Sequence, residues 1–108
     1  GTATAELAVA VPSLVTVLAL SLAGIGLGIE HVQSVDAARV GARMLARGES
    51  WAASMGQVAA AAPPGARVSA DVAGGLVQVT VTAPAPRPLA VLGVPGASAS
   101  ASAMLERP

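Results

Sequence analysis

His31 is the sole histidine of the chain, and Ser34 and Asp36 follow it within five residues. A base, a nucleophile and an orienting carboxylate are the roles such a set could fill. On a helix, however, these three side chains point in different directions and cannot converge. A hydrolytic triad is therefore excluded. One histidine does not make a His-rich metal site, and the absence of cysteine removes thiolate ligands, a Cys nucleophile and disulfides. Gly24, Gly26 and Gly28 are no phosphate loop, because no strand precedes them and no lysine follows. The chain is expected to be no enzyme and to hold no cofactor or metal, with His31 an interfacial polar residue where an apolar run ends.

Other residues suggest assembly instead. Glu6 opens the long apolar run. It either gains from the positive end of a helix dipole or waits for a cation supplied by another chain. Gly24 and Gly28 have the spacing that lets a second helix approach closely in lipid, a spacing that also arises by chance in a chain this rich in small residues. Pro12 removes one intrahelical hydrogen bond, so it is either a tolerated membrane proline or a hinge; a kink or local loosening is expected there. Asp36, Arg39, Arg43 and Arg47 fall at i, i+3, i+7 and i+11, which makes a polar stripe on a helix. That stripe is either a solvated face or a contact with acidic groups of a neighbouring subunit.

The elements that carry these residues follow from composition and pattern. The chain has 108 residues, 54% hydrophobic and only 11% charged, with one aromatic residue, Trp51. A mean hydropathy of +0.70 is more than an ordinary soluble domain of this size can hide. Six basic and six acidic residues cancel, so there is no electrostatic footprint for nucleic acid. The 23 uncharged residues 7–29 between Glu6 and Glu30 make a helix of about 34 Å, enough to cross a bilayer. A secretory signal is shorter and preceded by basic residues, so the segment is expected to stay in the mature chain. No turn signal follows Glu30, and Ile25, Gly28, Val32, Val35, Ala42 and Leu45 continue one face, which predicts a single long helix over 1–48 closed by Gly48.

A short second helix is expected within 49–63, capped by Ser50, with Trp51, Met55, Val58 and Ala62 on one face and Pro63 and Pro64 ending it. Residues 66–108 form a small β region. Two alternating runs joined by Gly74 and Gly75 predict a hairpin with Ala73 opposite Leu76, Val72 beside Val77, Ala70 beside Val79 and Val68 beside Val81. Pro84, Pro86 and Pro88 predict an extended connection. The Ala-Ser alternation over 97–103 fits a third strand with its small residues toward a helix, or else a low-complexity tail; the strand is preferred because two strands alone are marginal. The fold class expected is an α+β membrane or filament protein.

Gly1, the residues Thr2 to Ala5, Glu6 and the apolar run together resemble the cleavage region of type IV pilins. The pattern TAELAVAVPSLV, followed by VDAARVGARMLARGE, looks like the TadE-like minor pilins of the tight-adherence (Tad) system, over roughly residues 1 to 49. The resemblance implies a structural subunit of a pilus or secretion machine. A prepilin peptidase would cut between Gly1 and Thr2. Glu6 would pair with the N-terminal amine of a neighbour or help recruit the subunit. The partners implied are other pilin subunits, inner-membrane assembly machinery, the peptidase, and membrane lipid before assembly. The β part favours a minor over a major subunit. The place implied is the cytoplasmic membrane and then a surface pilus, with the C-terminal part outside. Arg39, Arg43 and Arg47 taken alone would put that part in the cytoplasm; Glu30, Asp36 and Glu49 interleave with them. The rival function is a single-pass adaptor that binds pilus or secretion machinery and enters no filament.

Overall fold

The computed structural model describes residues 1–106. Helix α1 spans Thr2–Ala46, and α2 spans Trp51–Ala61. Strands β1 (Arg67–Ala73) and β2 (Leu76–Thr82) precede a one-turn helix α3 (Arg87–Val91) and strand β3 (Ser98–Met104). The fold is α+β, with a long apolar N-terminal helix, a short helix and a three-stranded antiparallel sheet in the order β1-β2-β3.

Helix α1 runs unbroken from the apolar segment into the amphipathic one, since nothing near Glu30 competes with helical pairing. It stops at a Schellman motif. The Gly48 N–H donates to the Leu45 carbonyl at 3.0 Å and the Glu49 N–H to the Met44 carbonyl at 3.1 Å, with Gly48 at φ +83°. Ser50 then caps α2 by accepting from the Ala53 N–H at 3.2 Å. Pro63 ends α2 because the residue before a proline is driven out of the helical region, and Ala62 is extended at ψ 157°.

Gly74 and Gly75, at φ +60° and +79°, make the tight turn of the hairpin, and the register pairs Ala73 with Leu76 and Val68 with Val81. β3 joins the other edge of β2, with Val81 opposite Ala99, Val79 opposite Ala101 and Val77 opposite Ala103. One face of the sheet is thus valine in the centre and alanine at the β3 edge. It packs on α1, and α2 packs on α1 too, with Val58 in the same core as the β2 valines.

The core is small and built from small residues: Ala37, Ala38, Ala42 and Leu45 of α1, Val58 of α2, and Val77, Val79 and Val81 of β2. Gly41 marks the closest approach, since a Cβ placed there would lie 2.5 Å from Val58 Cγ2. Only residues of α1 from Ser34 onward are buried.

The structure differs from three expectations. The buried stripe of α1 is Ser34, Ala37, Ala38, Gly41, Ala42, Leu45 and Ala46, whereas Ile25 and Val32 are exposed. Small side chains admit the sheet to short range, and bulky ones at those positions would hold it off. On α2, Trp51 is exposed and Ser54 takes the buried place beside Val58, because an indole does not fit so shallow a layer. The Pro-rich connection is not wholly extended: it contains α3, whose first residues include Pro88, where a missing N–H costs nothing.

Candidate assembly surface

The apolar segment of α1 is bare. From Leu7 to Ile29, ten large aliphatic residues are each more than half exposed, and most of them, Leu14, Leu18, Leu22 and Ile25 included, recur at three- and four-residue intervals along one face. Leaving ten such side chains in water forgoes about 15 kcal/mol or more. That matches the whole folding stability of a small domain. The molecule measures 78 × 22 × 15 Å and its radius of gyration is 19.9 Å, against about 13 Å for a globular chain of this length. α1 is the one helix among the described residues long and apolar enough to cross a membrane, and none of its most apolar window is buried within the chain.

The hydroxyls of this segment are satisfied locally. Ser13, Thr16 and Ser21 each donate to the carbonyl four residues before, at 2.8 Å. No water is needed to satisfy these donors, so the surface they present to lipid or to another helix is close to apolar.

Gly1 is the N-cap residue and Thr2 the first helical residue, both exposed. Glu6 is exposed in the second turn and has no ion-pair partner among the described residues. Pro12 is exposed six residues further on. Gly24 and Gly28 are also exposed, and nothing lies within 4 Å of a Cβ added at either. They line an open groove with Leu27 and His31, whose other wall is Gly96, Ala97 and Ser98 of the same chain.

The polar stripe stays in solvent. Asp36, Arg39, Arg43 and Arg47 are all exposed, and the structure brings none of the four to another of them. Arg47 pairs with Glu49 at 2.9 Å on the helix-ending turn. Arg39 and Arg43 flank a groove completed by Ser100 and Ser102 of β3, the edge strand. Among the described residues no three His, Asp or Glu side chains come together as a metal site would need.

Two features escaped sequence reasoning. Gly41 looked like any other helix glycine, and only contact with Val58 and Val79 reveals its role. Gly96 is equally obligatory: a Cβ there would collide with the Ala83 carbonyl oxygen, where the Ala83 N–H pairs with Ala97 O at 2.8 Å and prolongs the sheet. Pro95 precedes it in the sequence, but nothing local signals the close packing of Gly96. No family model, curated protein or solved structure matches the chain.

Proposed function

We propose that this chain is a pilin-like structural subunit, of the TadE-like minor type, that is stored in the membrane through α1 and assembles by packing that helix among the helices of other subunits. The observation that carries the reading is the bare apolar segment of α1 ahead of a fold that covers only the distal part of the same helix. A surface of this kind needs an apolar environment at every stage. Lipid supplies it before assembly and neighbouring helices supply it afterwards.

The order of residues around Gly1 supports processing by a prepilin peptidase between Gly1 and Thr2. Glu6 is then the fifth residue from the new amine, exposed and unpaired among the described residues, where a neighbour's cationic terminus reaches it. A carboxylate beside hydrocarbon is costly alone, and an opposite charge from the next subunit relieves that cost. The C-terminal fold stands outside the cytoplasm, with Asp36, Arg39 and Arg43 exposed, the two arginines along the β3 edge of the sheet, where other subunits can meet them.

Co-expression of a leader-bearing precursor with a prepilin peptidase tests processing. The expected product is shortened to begin at Thr2, and Gly1→Ala blocks the cut. Glu6→Gln is expected to leave membrane insertion intact and to reduce recovery in sheared surface fibres. An uncut precursor, together with equal fibre recovery of Glu6→Gln and parent, would instead identify a single-pass adaptor.

A further inference from the structure

The connection between β2 and β3, residues 83–97, has an unusual composition. Fifteen residues long and exposed in large part, it contains no serine, threonine, asparagine, aspartate, glutamate or glutamine, and its only polar side chain is Arg87. Its backbone is short of free donors as well. Pro84, Pro86, Pro88 and Pro95 have no N–H, and those of Ala83, Leu89, Ala90, Leu92, Gly93 and Val94 are bonded within the chain at 2.8–3.1 Å. A loop in water has no need of such economy, whereas one at lipid depth does.

Its position agrees. α3 packs on α1, and Gly96 to Ser98 face Gly24, Leu27 and Gly28, the last turns of the apolar segment. Leu20, Ala23, Gly26, Leu27 and Glu30 are half-buried at three- and four-residue intervals, a strip set in an otherwise exposed stretch. If the hydrocarbon begins at Leu7, about 30 Å of helix brings its far edge near Leu27. The connection therefore lies beside the outer boundary of the bilayer. At its tip Val91 is 82% and Leu92 65% exposed, while Leu89 is turned partly inward.

We infer that this connection is a second membrane contact: Val91 and Leu92 enter the boundary between acyl chains and head groups, with Arg87 at the level of the phosphates. The inference rests on the reading of α1 as membrane-spanning. It gives the protein two attachments to one leaflet, which holds the sheet at a fixed orientation over the bilayer before assembly. Small amphipathic elements at this boundary bury their apolar side to about 5–10 Å.

The single tryptophan makes the test direct. In a Trp51→Phe background, a tryptophan is placed at Val91, at Leu92 or, within α1, at Leu14, and each chain is reconstituted into phosphatidylcholine–phosphatidylglycerol vesicles with brominated acyl chains. The parent, with Trp51 beyond the membrane end of α1, is the reference. Val91→Trp and Leu92→Trp are expected to lose roughly half their emission and to shift to the blue, as side chains at boundary depth do, while Trp51 changes little. Two positions guard against one that disturbs α3. Quenching of Leu14→Trp without quenching at 91 or 92 overturns the inference and leaves the membrane reading of α1 intact. No quenching at any of the three sites removes the reading of α1 itself. Protection at 91 and 92 from both bromine and aqueous acrylamide means that protein, not lipid, covers the tip, and also overturns the inference.

Discussion

The same helix is two different objects along its length. From Ser34 to Ala46 α1 buries alanine, glycine and one leucine against a sheet and a second helix; from Leu7 to Ile29 it buries almost nothing although its residues are larger and more apolar. Burial goes to the less apolar part, so side-chain size, not hydrophobicity, decides where the fold closes. Small residues let the chain close on itself, as Gly41 against Val58 shows. Bulky ones line one face of the proximal part, where Leu7, Val11, Leu14, Leu18, Leu22 and Ile25 recur at three- and four-residue intervals, and that face stays exposed. The difference teaches that the distal part is packed for folding and the proximal part for an environment that comes from elsewhere.

Matched substitutions sharpen this comparison. The largest effect is expected from a charge in the bare segment: Leu18→Asp costs about 3 kcal/mol of insertion at the centre of a membrane helix, so roughly a hundredfold less chain partitions into membranes. The melting temperature of the C-terminal fold stays put. Sedimentation with membranes and circular dichroism measure the two quantities. A Leu18→Asp chain that partitions like the parent would erase the distinction.

The next pair makes one chemical change in two places. Val79 is fully buried, so Val79→Ala removes two carbons from the core and is expected to lower stability by about 2 kcal/mol. Val17 is 61% exposed, and Val17→Ala should leave denaturant unfolding of the fold unchanged. Equal losses at both sites would mean that the two parts unfold as one.

Glycine gives a pair with opposite signs. Gly24→Ala meets nothing within 4 Å and is expected to raise helix stability by about 1 kcal/mol through propensity. Gly41→Ala meets Val58 and Val79, whose branched side chains have little freedom to move aside. Overpacking costs about 1–3 kcal/mol, which outweighs the propensity gain and leaves a net loss near 1 kcal/mol. Thermal melts in detergent separate the two.

The smallest effects lie on α2. Ser50→Ala removes the cap and costs about 1 kcal/mol. Ser54 is buried with its hydroxyl unpartnered among the described residues, so Ser54→Ala is expected to be neutral or to stabilise by up to about 1 kcal/mol. A loss at Ser54 larger than at Ser50 would show that the buried hydroxyl finds a partner.

Much of the fold was legible in the chain because turn chemistry and periodicity agreed. Gly74-Gly75 fixed one register for the hairpin, and the alternation of Ala and Ser in β3 matched the pleat of β2, so alanines meet valines on one face. The buried stripe of α1 was not legible. A pattern reading takes the largest aliphatic residues as the inward face, and Ile25 and Val32 met that rule while Ala37, Ala38 and Gly41 supplied the contact. Trp51 misled for the same reason. Of the candidate site, the length and bareness of the apolar segment followed from composition, but the groove that sets Gly24 and Gly28 opposite Gly96 depends on a return of the chain 70 residues later, which no local spacing encodes.

The central claim is that the bare segment of α1 is sheltered by lipid or by sibling helices. The chain contains no cysteine, so single cysteines can be placed at Val9, Leu14, Leu18 and Leu22 and, at comparable exposure, at Val72 and Met104 of the sheet. In membranes opened to a polar maleimide on both sides, positions 72 and 104 are expected to label fast, as they do in the denatured chain, and positions 9, 14, 18 and 22 to remain unlabelled. Labelling of the four helix positions at the rate of the two sheet positions would contradict the account.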